Sequence, residues 1–279
     1  MENKSDSQNK LKPLFAAIAI PVIIVASVIL YLFVLGNSAN FADGNAETGH
    51  PLNYLGTVYK GGLIVPILMS FFLMVITFSI ERFLTIQKAY GTGSLDKFLR
   101  DIKHFLNIGN ISAANQRCME QKGSVGNVVI SVLKKYEDAK ANNHLTKEQK
   151  TVAVQKEIEE ATSLELPMLE KNLTIIATLA SISTLAGLLG TVIGMIKAFA
   201  ALATAGAPDA VALANGISEA LINTALGIAT SALAIISYNY FTNRIDTLTY
   251  SIDEIGFSIS QNVSMGNYKE PVLKQTELV

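Results

Sequence analysis

Charge is scarce in this chain: only 16% of its 279 residues are Asp, Glu, Lys or Arg, against roughly a quarter in an ordinary soluble domain. Half of the residues are hydrophobic. That balance argues against a compact soluble enzyme and excludes disordered, collagen-like and disulfide-rich classes. Tryptophan is absent, and the lone cysteine, Cys118, has no intrachain partner for a disulfide. The three histidines, His50, His104 and His144, stand far apart with no ligand spacing around them. They read as loop or surface residues, and no metal or cofactor is expected. A formal net charge of −1 leaves no basic footprint for nucleic acid. No glycine-rich phosphate loop opens a helix, and no Ser/His/Asp set suggests hydrolysis. The chain is therefore not expected to be an enzyme.

What it has in abundance is long apolar runs. A bilayer core takes about 20 helical residues. Leu14–Leu35, Gly61–Ile80 and Asn172–Ile196 meet that length without a charge, and Ala220–Asn243 does so directly after Glu219. These runs predict four membrane helices at 14–35, 62–82, 172–204 and 210–242. The last two exceed what a membrane requires and are expected to protrude into the cytoplasm. The first run could instead be a secretory signal cut near Ala39, but its apolar stretch is longer than the usual 7–15 residues or so, which favours an uncleaved anchor. The segment Arg82–Lys171 carries 14 of the 22 Lys and Arg, residues 36–62 carry one, Lys60, and the link between the last two spans carries none. Basic residues favour the cytoplasmic side. Both termini and the 83–171 segment are thus placed in the cytoplasm. The 36–61 loop, with Asp43 and Glu47, is placed in the periplasm.

Within 83–171 the pattern is helical throughout. Leu95, Phe98, Leu99, Ile102, Phe105 and Leu106 recur at spacings of three and four, one face of an amphipathic helix. Short helices are predicted at 111–121 and 125–140. Thr146 and Gln149 have the spacing of a capping box and open a Glu/Lys-rich helix that reads as running past Pro167 into the third span. The fold class is all-α: an integral membrane protein with about four spans, whose long transmembrane helices extend into a cytoplasmic helical bundle.

The ionisable group inside the membrane is Glu219. A carboxylate at a helix centre costs about 2.5–3.5 kcal/mol on insertion scales, and such residues usually face a bundle interior or water. Glu219, Asn223, Thr230 and Ser237 fall within about 40° of one another on a helical wheel, with Thr224 at the border. A polar stripe of this kind is unstable against lipid. It is expected to face protein or a wet path. Thr174, Thr178, Ser181, Thr184 and Thr191 form a second hydroxyl row on the third span. Such hydroxyls either bond the preceding turn or orient an ion or water. Gly187, Gly190 and Gly194, with Gly216 and Ala220, suit close helix approach. Lys197 reads as a snorkelling interface lysine rather than a gate, with Asp209 as a possible ion-pair partner. One buried acid with facing hydroxyls and no nucleotide site suits a proton relay driven by the membrane potential, worth about 2.3 kcal/mol per charge per 100 mV. The alternative is a scaffold whose stripe only holds helices together. No inverted repeat points to a solute transporter.

Several motifs carry a resemblance. Gly190-Thr191-Val192-Ile193-Gly194-Met195, after Leu188 and Leu189 and before Phe199, is similar to a signature of the ExbB/TolQ/MotA proton-channel family. So is Gly216-Ile217-Ser218-Glu219-Ala220-Leu221 followed by Thr224, Ala225, Gly227 and Tyr238-Asn239. Ile80-Glu81-Arg82-Phe83 resembles the exit of the family's first core helix, and the run from Phe98 to Cys118 fits its cytoplasmic domain. The likeness covers about residues 62–243 and lies nearest ExbB. It implies a homopentamer in the bacterial inner membrane around a dimer of a single-span ExbD-like partner. Proton flow would then energise a TonB-like protein, or serve a TolQ-like envelope system or gliding motility. By motif, Glu219 matches the family's glutamate, and Thr191 and Thr224 match its two threonines. Asn223 joins them as an expected ion-path residue, with Thr230, Ser237 and Lys197 secondary. The chain departs from the family where Ser231-Ala232-Leu233-Ala234 replaces a proline-containing stretch, where Ser183-Thr184 stands near another missing proline, and where Asn223 replaces a small apolar residue. MotA-type members usually lack the glutamate. The expected divisions are 1–35, 36–61, 62–82, 83–171, 172–243 with the ion-path motifs, and a cytoplasmic tail at 244–279.

Overall fold

A computed structural model describes residues 5–42, 44–46, 49–142, 144–203 and 209–265, with side chains from Phe15 to Val263. Asp43, Glu47 and the carboxyl-terminal residues 266–279 lie outside that range. Among the described residues the only β pairing is an isolated bridge between Phe41 and Pro51. The helices are α1 (Ser5–Ile29), α2 (Tyr54–Tyr59), α3 (Val65–Tyr90), α4 (Leu95–Asn107), α5 (Ile111–Gln121), α6 (Gly123–Ala141), α7 (Lys147–Glu170), α8 (Leu173–Leu202) and α9 (Ala210–Met265). Among the described residues, four segments are long and apolar enough to cross a membrane. They begin at Phe15, Gly62, Leu173 and Ala210. By contacts the chain forms two units. One comprises Met1–Glu81 with Asn172–Tyr240, the other Arg82–Lys171 with Phe241–Val279.

The second unit owes its shape to apolar spacing and to tight joints. On α4, Phe98, Leu99, Ile102 and Leu106 are buried, the face its periodicity predicts. The joint after α3 needs glycine. Gly91 and Gly123 both have positive φ, 77° and 72°. A side chain on Gly91 would strike the Gln121 carbonyl, and one on Gly123 the Ala89 carbonyl. The close approach lets Thr92 N–H donate to the Gln121 carbonyl at 2.7 Å, while Gln121 Nε2 donates to the Tyr90 carbonyl at 2.9 Å. The Thr146/Gln149 capping box is present at the start of α7, satisfying two end-of-helix N–H groups reciprocally. At the other end of α7, buried Arg82 donates to the carbonyls of Met168 and Leu169 at 3.2 and 3.1 Å. Those are last-turn acceptors that no intrahelical N–H can reach.

Two expectations need correction here. The helix entered at Thr146 does not continue into the third span. It ends at Glu170, and Asn172 takes a left-handed φ of 65° before α8 begins. Asparagine is among the few non-glycine residues that adopt this conformation readily, so the joint costs little. Nor is the chain from 244 onward simply a tail. α9 continues to Met265, with Ile245, Leu248, Ile252, Ile255, Ile259 and Val263 buried. Their spacing of three and four makes a continuous apolar stripe that fills the core of this unit.

Cys118 is buried on α5. Burial pushes its thiol up to about 12, although the Arg117 charge works the other way. The reactive thiolate is therefore almost absent at neutral or mildly alkaline pH. The folded protein at pH 8 is expected to react with maleimide at least about 100-fold more slowly than the unfolded chain, whose thiol has an ordinary pKa near 8.5. Stopped-time labelling with and without denaturant measures the ratio; equal rates would mean that the α5 environment is open.

In the first unit, Asn40 and Tyr59 of the 36–61 loop bond back to the end of the first span. That span finishes in a π-helical turn, Leu30–Leu35. Buried Asn40 donates to the carbonyls of Val34 and Leu35 at 2.7 and 2.9 Å and accepts from Asn53 at 2.9 Å. Tyr31 stacks on Tyr59 with ring centroids 4.7 Å apart, and its hydroxyl donates to the Tyr59 carbonyl. Tyr31, Leu35 and Val65 form a buried cluster joined by Val58, Met69 and Leu226. The first span is thereby packed against α3 and α9 within this unit.

Candidate functional site

The seam between α8 and α9 is made of backbone. A Cβ on Gly194 would lie 2.7 Å from the Ala220 nitrogen and the Gly216 carbonyl oxygen. One on Gly216 would lie 2.7 Å from the Ala198 nitrogen, and one on Gly227 would lie 2.7 Å from the Ser183 carbonyl oxygen. Ser231 Oγ donates across the seam to the Ala180 carbonyl at 2.5 Å. With no side chains to hold the axes apart, the helices meet at the distance small residues permit. Polar groups on the two helices then come within hydrogen-bonding reach.

Glu219, Asn223 and Thr230 are all buried, and Ser237, farther along the same face, is half-buried. Lys197 from α8 meets Glu219 directly, its Nζ 2.7 Å from Oε1 and 2.9 Å from Oε2. The partner weighed in the sequence, Asp209, is otherwise engaged. Its Oδ1 accepts from the N–H groups of Val211 and Ala212, both at 3.0 Å, and so caps the start of α9. The snorkelling reading of Lys197 is therefore replaced by an ion pair. The pair is asymmetric: the Lys197 side chain is 52% exposed and that of Glu219 only 9%.

One turn further, Thr191 and Thr224 place their hydroxyls 2.9 Å apart. Thr191 Oγ1 also lies 3.1 Å from the Gly187 carbonyl, and Thr224 Oγ1 lies 3.2 Å from that of Ala220. Each hydroxyl has one proton to donate. Two protons thus serve three contacts, so the pair has alternative arrangements that differ only in hydroxyl rotation. The rest of the third-span row does not join them. Thr174, Thr178 and Ser181 are exposed in the single chain, and Thr178 returns its proton to the Thr174 carbonyl. Thr230 likewise donates to its own helix, at Leu226.

Two participants were not legible beforehand. The turn Gly61–Gly62, just before α3, closes the site from the other side. Asn223 Nδ2 donates to the Gly61 carbonyl at 2.9 Å, and a side chain on Gly62, which has a φ of 76°, would collide with the Glu219 carboxylate. Asn223 therefore acts first as a pin between α9 and this turn. Its Oδ1 is buried without a protein partner, which leaves an acceptor within the polar stripe. The histidines stay apart on exposed positions, and no group of three or more His, Cys, Asp or Glu able to hold a metal occurs among the described residues.

Residues 129–254, a little under half of the chain and including every polar group just described on α8 and α9, match the model of the MotA/TolQ/ExbB proton channel family. Over that segment the chain is similar to the family. Among curated relatives, the Tol-Pal system protein TolQ of Pseudomonas aeruginosa is 42% identical over 88 residues, 32% of this chain and 38% of the relative. The biopolymer transport protein ExbB of Helicobacter pylori is 40% identical over 81 residues, 29% of this chain and 56% of the relative. The Salmonella typhimurium protein of the same name is 31% identical over 84 residues, 30% of this chain and 34% of the relative. The chain thus spans between about a third and somewhat over half of the length of these relatives. The channel-family segment supplies both halves of the α8–α9 seam, whereas the first span, its folded loop and the Gly61–Gly62 turn lie before it.

Proposed function

We propose that the chain is an ExbB-like subunit of an inner-membrane motor driven by the proton-motive force. Protons pass between α8 and α9 by way of Glu219 and the Thr191–Thr224 hydroxyl pair, with Asn223 holding the outer turn in place and Thr230 and Ser237 extending the polar face. A homopentamer around an ExbD-like single-span partner dimer completes the path, and a TonB-like protein receives the work for outer-membrane transport. The 36–61 loop faces the periplasm, and both termini and the 83–171 bundle face the cytoplasm. The observation that carries this reading is the switchable hydroxyl pair beside a buried carboxylate, on helices that match a proton channel family. A relay needs groups that can both donate and accept, and the two threonines satisfy that requirement without moving the backbone. The identity to TolQ supports a second reading, in which the same conducting subunit serves an envelope system.

Gentle extraction through a tag on this chain, followed by native mass measurement and identification of co-purifying proteins, separates the two. Five copies with two of an ExbD-like protein support the first reading; a TolR-like partner supports the second. Reconstituted with its partner, Thr191→Val or Thr224→Val is expected to lower proton flux by about tenfold or more, in the range general acid–base groups contribute. Thr174→Val should leave flux near the wild-type value. Equal losses from all three would remove the special role of the Thr191–Thr224 pair.

A further inference from the structure

A cation that passes by way of Glu219 must find its carboxylate free. It is not free here: both oxygens accept from the Lys197 ammonium, at 2.7 and 2.9 Å. On another side the carboxylate lies beside the Gly62 turn, where an added Cβ would collide with Oε1. Across the seam, the glycine contacts fix α8 at Gly194, three residues before Lys197, directly against Gly216 and Ala220, which bracket Glu219. The nearby phenol of Tyr31 gives its proton to the Tyr59 carbonyl at 3.1 Å. Lys197 is thus the group in direct contact with the acid.

The two members of the pair differ in freedom. Glu219 is enclosed on α9, while the Lys197 side chain is half exposed and rides on a flexible four-carbon stem. The lysine is the freer member of the pair. A tethered ammonium also competes directly with any mobile cation for the same two oxygens.

We propose that Lys197 is a built-in counter-ion that closes Glu219 to protons until its ammonium is displaced, so that this residue gates the path inferred above. The proposal rests on that reading of Glu219 as a relay, and it assigns Lys197 a positioning and gating role rather than a place among the proton carriers.

Dicyclohexylcarbodiimide tests this on the full chain in detergent or nanodiscs, because it is an apolar reagent that must reach a carboxyl oxygen and its proton to add, and both Glu219 oxygens are covered by Lys197. Intact mass after timed exposure counts adducts, and Glu219→Gln identifies the signal. Lys197→Met is expected to raise the rate of Glu219 labelling severalfold, because both carboxylate oxygens lose the ammonium that covers them. Lys197→Gln, which keeps a polar group without the charge, should do the same and serves if the methionine variant fails to assemble. Lys197→Arg should restore slow labelling, which a purely structural role of the side chain would not predict. In vesicles carrying the chain with its partner, both uncharged variants should leak protons without coupling to transport. Labelling at the wild-type rate in a folded uncharged variant would overturn the proposal. Faster labelling with no added leak would overturn the gate while leaving the ion pair intact, and flux through Glu219→Gln would then decide separately whether Glu219 is a relay at all.

Discussion

Glu219→Gln should abolish proton flux in the reconstituted complex while leaving insertion and assembly unchanged. The amide is nearly the same size as the carboxylate and still accepts a hydrogen bond, but it cannot take up and release a proton at accessible pH. Removing one partner of a buried ion pair ordinarily destabilises by about 3–5 kcal/mol, because the other charge is left buried and unpaired. That cost should not appear here, since the residual charge is on Lys197, whose side chain is already half exposed and can extend its ammonium toward water or lipid headgroups. Native mass and thermal stability of the extracted complex measure the first half of the expectation. Pyranine-loaded vesicles under an imposed potential measure the second. Wild-type flux from this variant would exclude Glu219 as a relay and favour the polar stripe as helix glue.

Gly194→Val should fail in the opposite way, with loss of assembly and flux together. The added carbons would enter space held by the Ala220 nitrogen, the Gly216 carbonyl oxygen and the Ala220 methyl, at 2.7, 2.7 and 2.9 Å from the first of them. Two of these are backbone atoms of α9, with no rotamer to change. Overpacking against side chains costs about 1–3 kcal/mol; against backbone the helices must separate. Separation pulls Lys197 from Glu219 and Thr191 from Thr224, since both pairs bridge the same seam. Gly109→Ala is the informative contrast. Gly109 has a φ of 72° but nothing within 4 Å of a new Cβ, so only the left-handed backbone is penalised, by about 1–2 kcal/mol. Yield and melting temperature of the extracted complex should fall far more for the seam variant. Comparable losses from both would mean that the seam is looser than its glycines suggest.

The spans were legible because a bilayer sets a length that composition must meet, and the Glu219 face was legible because helical period alone aligns Glu219, Asn223 and Thr230. The partner of Lys197 was not. Its choice depends on how α8 is rotated against α9, which no single-helix pattern contains. Asp209 was attractive by proximity along the chain, yet its position just before Ala210 is that of an N-cap, a signal that was present in the sequence and would have removed it from consideration. Asn172 was also readable as a helix break, since asparagine tolerates a left-handed backbone, but the apolar run that follows it suggested continuity. The stripe from Ile245 to Val263 is likewise legible from its spacing of three and four. The Gly61–Gly62 turn could not be tied to Glu219 from sequence, because more than 150 residues separate them.

The glycine seam has a consequence in time. Helices that touch through backbone have little room to slide or roll, since any displacement meets another carbonyl or nitrogen, and α8 and α9 should move as one body on all scales short of unfolding. What remains mobile at the site is a lysine stem and two hydroxyl rotors. Exposed side chains change rotamer in picoseconds to nanoseconds, whereas domain and helix rearrangements take microseconds to milliseconds. Opening at Lys197 is therefore fast compared with any mechanical step, and the pace of a working cycle would be set elsewhere, by whatever the conducting unit has to turn or pull.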